Sequence, residues 1–586
     1  MSDVMDHPAG QAPSRKRGGT ATSLLRPSAI LALAVAVAAI LLSLPLRVPI
    51  GAMYWDLVVY FDAANRIFTG QVPTVDFFAP VGPLGYYLFA AGTKLFPQAQ
   101  PLLLVHWSLL AVTAPLMVLA LMRLDRRSRM TALALLIPFL VFSMLPFNTR
   151  SYYPYPGSDG FGIYNRQVCQ LLYVLTVGLL FVRAQRMLAV VVVAAMTALF
   201  LTKITGFISG LMLCAFAFAA GRIAFMTAVG AAAAFFALFG VMELTTGFVS
   251  QYAIDILTLV EMNSGSLAPR FLQAASHTFG IVAPAGILVL VLIWHQRRAL
   301  RDQLGGLIRR PSFAGIAAVL DRPALWLAAI LFAGIFFETQ NTGSQALIFV
   351  WPALVWMFAT SWGELFRKPP VLGLCLLLSA AAALPPIVNT TQEAARTYLG
   401  AIKNVPLAND NLRTLGQVNA RPEIMTRAEK MLGFYPDHRG TYEGFVEIGE
   451  LPEFIFYSGL DFQLDHLMAV DRAVTDIRRL EERNGIRFET VMNINFVNPF
   501  AWLMDRRAPL HLAIGADPSR AVPDPSPEEI AAIEAADLIL LPTCPLTTAN
   551  NALHKLYAPA MKAHRRITLD ACFDAFIHPR FGDLSQ

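Results

Sequence analysis

Apolar residues in this 586-residue chain gather into long runs separated by short polar stretches, and this pattern holds from Ser28 to about residue 388. The first run extends from Ser28 to about Val48. Others lie near residues 101–122, 130–147, 167–182, 187–201, 204–220, 223–245, 277–294, 323–337, 345–362 and 370–388. A helix needs roughly 20 apolar residues to cross a bilayer, so the pattern predicts about eleven transmembrane helices. The 187–201 and 204–220 runs stand so close that the hairpin joining them has almost no length. Ahead of the first run, residues 1–25 are polar and carry Arg15, Lys16 and Arg17, which predicts a disordered cytoplasmic tail. The segment Leu46-Arg47-Val48-Pro49 offers no small-residue cleavage site, so the first run reads as a retained anchor.

Composition agrees with the pattern. With 56% hydrophobic residues, 15% charged residues and a mean hydropathy of +0.53, the chain is too apolar for a soluble protein of this size and reads as a polytopic membrane protein. Its net charge of +6 needs no nucleic acid to explain it, because Lys and Arg cluster between the apolar runs. If the spans simply alternate, Arg123–Arg129, Arg183–Arg186, Arg222, Arg297–Arg322 and Arg367-Lys368 share the side of the basic N-terminus. Basic loops mark the cytoplasmic face. The opposite side then receives residues 50–100, 148–166, Lys203, 246–276, 338–344 and everything after about 389.

Residues 389–586 have ordinary charge and predict a soluble α/β domain outside the membrane. Ser526–Ala536 reads as a helix with Pro527 near its start, while Leu538–Leu541 and Pro509–Ile514 read as strands. No GxGxxG, P-loop or catalytic-triad spacing occurs there. Cys544 and Cys572 lie in this polar region and have the option of pairing if it is extracytoplasmic; Cys169, Cys214 and Cys375 lie in apolar runs as small core residues.

One stretch concentrates candidate chemistry. Trp55 to Tyr87, WDLVVYFDAANRIFTGQVPTVDFFAPVGPLGYY, follows the first span and carries Asp56 and Asp76. Val58–Ile67 mixes apolar residues with Asp62, Asn65 and Arg66, as a helix lying along the membrane interface would. Pro73, Pro80 and Pro83 break the chain into turns around Asp76, and Asp56 is expected on a loop just outside the first span.

Asp56, Tyr60, Gly70 and Pro83-Leu84-Gly85-Tyr86 together resemble the first extracytoplasmic loop of the GT-C fold glycosyltransferases. These membrane enzymes use polyprenyl-phosphate sugars and include protein O-mannosyltransferases and lipid A aminoarabinose transferases. Leu57 stands where many members have a second acid, and Gly82-Pro83 replaces a frequent Lys/Pro-Pro pair. Tyr164-Asn165-Arg166 resembles a YNR motif of bacterial members, and Thr202-Lys203-Ile204-Thr205-Gly206 their TK-x-TG segment. Asn495–Phe500 and Ala536–Ile539 are similar to C-terminal domains of bacterial relatives.

The resemblance implies a multi-pass enzyme of a bacterial inner membrane with its C-terminal domain in the periplasm. Its partners would be a lipid-linked sugar donor, a glycolipid, polysaccharide or protein acceptor, and membrane lipids. Transfer would invert the anomeric centre. Because the donor arrives on lipid, no cofactor is expected; dependence on a divalent metal stays open, although the ten scattered histidines form no HxxxH or HExxH motif.

The chemistry assigns roles residue by residue. An acceptor hydroxyl attacking an anomeric carbon needs a base, and Asp56 is the candidate. The leaving lipid phosphate needs fixed cations, for which Lys203 and Arg166 are candidates; interfacial anchoring is the alternative for both. Asp76 either orients the acceptor or caps a turn. Tyr60, Tyr86 and Tyr87 either stack on sugar or belong to an aromatic belt. Gln340 and Asn341, beside Glu338 in FFETQNTGSQ, either bind sugar hydroxyls or form a simple loop. Asp255, Glu261 and Arg270 either contribute to the site or belong to an amphipathic surface helix. A transporter or flippase is the alternative, but internal repeats and charges within the spans are scarce. A scaffold would not need clustered loop acids. An oligosaccharide ligase would carry a large late loop, whereas here the later loops are short.

Overall fold

In the computed structural model, residues 26–150, 156–263, 267–340, 343–450 and 459–585 are described. The expected N-terminal tail and Asn341 lie outside these residues. A helix stands at each of the eleven apolar runs, from Pro27–Leu42 to Pro369–Gly400. Pro27, Pro101, Pro323 and Pro369 open their helices in the first turn, where the missing N–H costs nothing. Pro101–Asp125, Gln185–Thr202, Phe225–Thr246 and Pro369–Lys403 are each long and apolar enough to cross a membrane. Two bent pairs bring this to six: Ala268–His277 with Phe279–His295, at 92°, and Phe313–Leu320 with Pro323–Glu338, at 80°. Pro27–Leu42, Arg129–Met144 and Ile204–Ala219 are shorter apolar helices. Ile163–Phe181 is buried nearly all round, packed by the Leu110–Asp125, Gln185–Thr202 and Val350–Phe366 helices.

The first loop is not an interfacial appendage. Asp56–Phe68 is helical, but Leu57 through Arg66 are all buried, packed by the Leu84–Leu95 and Pro101–Trp107 helices and, from the C-terminal region, by Phe500–Leu503. The Arg66 guanidinium pairs with Asp62 at 2.9 Å and donates to the Pro509 carbonyl at 2.7 Å and to Gln71 Oε1 at 3.1 Å. Gln71 in turn donates to the Ala508 carbonyl at 3.1 Å. A buried arginine is tolerable only when its donors are used in this way.

Two small sheets build the C-terminal region. Val418–Ala420 pairs antiparallel with Val405–Pro406 and parallel with Val48–Pro49, which comes from just after the first helix. The other sheet places Val491–Asn493 parallel to Leu538–Pro542, followed by Phe573–Ile577 and Arg565–Thr568 antiparallel. Ser526 caps the Pro527–Glu534 helix with a reciprocal Glu529 contact. Pro509–Ile514, expected as a strand, joins neither sheet. Its backbone donors go to the first loop instead, His511 N to Asp76 O at 2.6 Å and Ile514 N to Phe78 O at 3.0 Å. Cys544 and Cys572 are joined in a disulfide. The helix beginning at Pro369 runs through the expected domain boundary at 388 and ends at Gly400.

Truncating one member of the buried ion pair strands its partner. Arg66→Ala should therefore cost about 3–5 kcal/mol, while replacing Asp62 and Arg66 together by leucine should cost less than Arg66→Ala alone. Thermal unfolding in detergent reads both.

Candidate active site

The site is built on a hairpin with a single connecting residue. One helix ends at Thr202, the next begins at Ile204, and Lys203 between them is extended (φ −163°, ψ 131°). Its Nζ donates to Asn165 Oδ1 at 3.0 Å and to the Gln340 carbonyl at 3.2 Å, and stands 4.9 Å over the Tyr164 ring. Asn165 also donates to the Gly343 carbonyl at 3.0 Å. That approach depends on Gly162, whose φ of +71° suits glycine and on which a Cβ would collide with the Gly343 carbonyl. Gly82 meets the other side of the hairpin. Its N–H donates to Thr202 O at 3.0 Å, and a side chain there would collide with the Leu201 carbonyl.

Asp56, expected on a loop, is the first residue of the Asp56–Phe68 helix. A helix N-terminus favours its negative form. Burial opposes this and is the largest influence, pushing the carboxyl up to about 8; Arg520 pulls it down and Asp159 up, while Trp55 and Arg166 favour the charged form. Its Oδ1 is buried and has no hydrogen-bond partner among the described residues. The preceding residue is gripped by the C-terminal region: Trp55 N–H donates to Gln463 Oε1 at 3.1 Å. The Trp55 ring lies 5.8 Å from Phe462, 5.7 Å from His466 and 5.6 Å from Phe496.

Asp56 and Lys203 line one cavity of about 1070 Å³, together with Tyr60, Tyr86, Tyr164, Glu338 and Gln340. Its apolar wall includes Ile204, Ile208, Ile256, Leu259 and Ile281. Two of the acids and bases the sequence had left undecided, Asp255 and Arg270, also line it. Arg270 donates to Gln340 Oε1 at 3.0 Å. Arg150, Asp517 and Arg520 also line it and went unnoticed in the sequence. Arg520 pairs with Asp517 at 2.7 Å, and its carbonyl accepts from Asn263 at 3.1 Å. Among the described residues, no three His, Cys, Asp or Glu side chains gather as a metal site.

Three expected site residues fall elsewhere. Arg166 is fully buried and does not line the cavity. It donates to the carbonyls of Pro146 at 3.2 Å and Asp159 at 2.9 Å, stitching the preceding loop to its helix. Asp76 caps a turn, accepting from Val72 N–H at 2.6 Å, and also lies outside the cavity. Tyr87 is half-exposed and likewise does not line it.

No family model matches the chain, and no curated protein matches it in sequence. Among solved structures, ArnT from Cupriavidus metallidurans bound to undecaprenyl phosphate aligns over 94% of this chain and 98% of its own, at 14% identity and a TM-score of 0.39. The archaeal oligosaccharyltransferase AglB from Archaeoglobus fulgidus, in complex with an inhibitory peptide and a dolichol-phosphate, aligns over 92% and 72%, at 12% identity and a TM-score of 0.30. At these scores the likeness carries no weight, and the functional reading rests on the cavity.

If the Gly162–Gly343 contact holds Lys203 in place, Gly162→Ala should cost about 1–3 kcal/mol through backbone strain alone. It should also make Lys203 more reactive towards an amine-specific reagent, read by peptide mass spectrometry.

Proposed function

We propose that this protein is a GT-C type membrane glycosyltransferase that moves a sugar from a polyprenyl-phosphate donor to an acceptor hydroxyl, with inversion. The observation that carries the reading is the shared cavity, in which a carboxyl with a free oxygen and a held ammonium face one space with an apolar wall. In this reading the lipid lies along the apolar wall and its phosphate meets Lys203, with Arg270 and Arg520 as further cations. Asp56 takes the proton of the acceptor hydroxyl as its oxygen bonds to the anomeric carbon. The bond from that carbon to the phosphate oxygen breaks, and the charge left on the lipid phosphate falls to the cations. Tyr60 and Gln340 line the space for the sugar.

The membrane is a bacterial inner membrane, with the N-terminus cytoplasmic and the C-terminal region periplasmic. The Cys544–Cys572 bond supports that side, since disulfides persist in oxidising compartments. The acceptor is a glycolipid, polysaccharide or protein.

Mass spectrometry of envelope glycans from cells with the intact gene, a deletion, and Asp56→Asn at matched expression tests this. One sugar should vanish from a defined acceptor in both altered strains, while a polyprenyl-phosphate sugar accumulates. An unchanged glycan in the Asp56→Asn strain would remove Asp56 as the base, and a donor trapped on the cytoplasmic face would indicate a flippase. In purified protein, Asp56→Asn should lower kcat by about 10²–10⁴-fold. A base held at about 8 is protonated below that pH, so kcat/KM should rise with pH through about 8. Because the Arg520 charge lowers the Asp56 value, Arg520→Met should move that limb to higher pH.

A further inference from the structure

Asp255 is an acid in the cavity wall for which the proposed chemistry has no use. It sits on the Phe248–Met262 helix and is only 3% exposed, yet it lines the cavity. Its Oδ1 accepts a hydrogen bond from Gln251, one turn earlier on the same helix, at 3.3 Å. Its Oδ2 is buried and has no partner among the described residues. An unmet buried carboxyl oxygen is costly, and other buried acids of this chain avoid the condition: Asp62 pairs with Arg66, and Asp537 accepts from two backbone N–H groups. Asp465 shares the unmet condition but lies away from the cavity. Asp56 shares it within the cavity, where the proposed chemistry gives it a role, and Asp255 is left as the second such acid beside the same space.

Its place on the wall says which part of a ligand would arrive there. Tyr252, three residues earlier on the same helix, packs 5.3 Å from Phe200, and its hydroxyl donates to the Phe200 carbonyl at 3.3 Å. Phe200 lies three residues before Lys203, so this helix is fixed to the end of the hairpin that presents the ammonium. The groups next to a phosphate held at Lys203 are the sugar and the first carbons of the lipid, and of these only the sugar has hydroxyls to offer a carboxyl. Gln251 fixes one carboxyl oxygen and leaves the other without a protein partner on a residue of the cavity wall, the arrangement expected of a side chain that reads a hydroxyl.

We infer that Asp255 is a specificity residue that accepts a hydrogen bond from a hydroxyl of the donor sugar. This rests on the glycosyltransferase reading above. It adds that the donor is recognised by its sugar as well as by its lipid phosphate, through a wall separate from Asp56.

The test compares two probes on the purified full-length protein: polyprenyl phosphate without sugar, and a panel of polyprenyl-phosphate hexoses and pentoses. Asp255→Ala should weaken the best sugar-bearing probe by about tenfold or more while leaving the bare lipid phosphate within about twofold. Asp255→Asn, which keeps shape and one acceptor oxygen, should recover part of the loss. In turnover the change should fall on the donor KM with kcat largely kept. Equal weakening of both probes, or of neither, overturns the inference while leaving the transferase reading intact. Failure of the unaltered protein to bind either probe overturns both.

Discussion

A cation at the end of a membrane hairpin has to be held by groups that are themselves fixed, and in this protein the site depends on how Lys203 is held. Its ammonium is shared between a side chain at the start of one helix and a backbone carbonyl just after the end of another. The Ile163–Phe181, Gln185–Thr202, Ile204–Ala219 and Pro323–Glu338 helices thus meet at one point. A desolvated charge is costly unless its hydrogen bonds are made, so the cost of leaving the ammonium unmet ties these four ends together. Gly162 and Gly82 matter because they let backbones approach that point.

How much of this was legible in the sequence follows the range of the interactions. The apolar runs and the one-residue hairpin are local features, and the helices stand where the runs are. Asp56 and Lys203, which chain punctuation isolates, line one cavity. The two readings of Arg166 stayed open because a YNR triplet at a span end does not say which way each side chain faces: Asn165 bonds Lys203, while Arg166 donates to carbonyls. Arg520 and Arg150 reach the cavity only through tertiary folding, and nothing near them in the chain sets them apart from ordinary surface cations. Pro509–Ile514 failed as a strand for a related reason, its backbone partners lying more than 400 residues upstream.

The C-terminal region is built into the site rather than set beside it. It covers the Asp56–Phe68 helix, grips Trp55, and brings Arg520 to the cavity wall. Burying Asp56 from that side contributes the desolvation that raises its proton affinity towards neutrality. Without this cover the carboxyl would lie closer to water and hold its proton less firmly.

The short parallel pairing of Val48 with Val418 has a consequence in time. The first partner leaves the ribosome roughly 370 residues before the second. At about 5–20 residues per second this is a wait on the order of 20–70 s. Throughout that interval the first loop has no sheet to join and Trp55 has no Gln463. The polypeptide therefore enters the bilayer in an incomplete state, and the cavity is complete only once synthesis is nearly over.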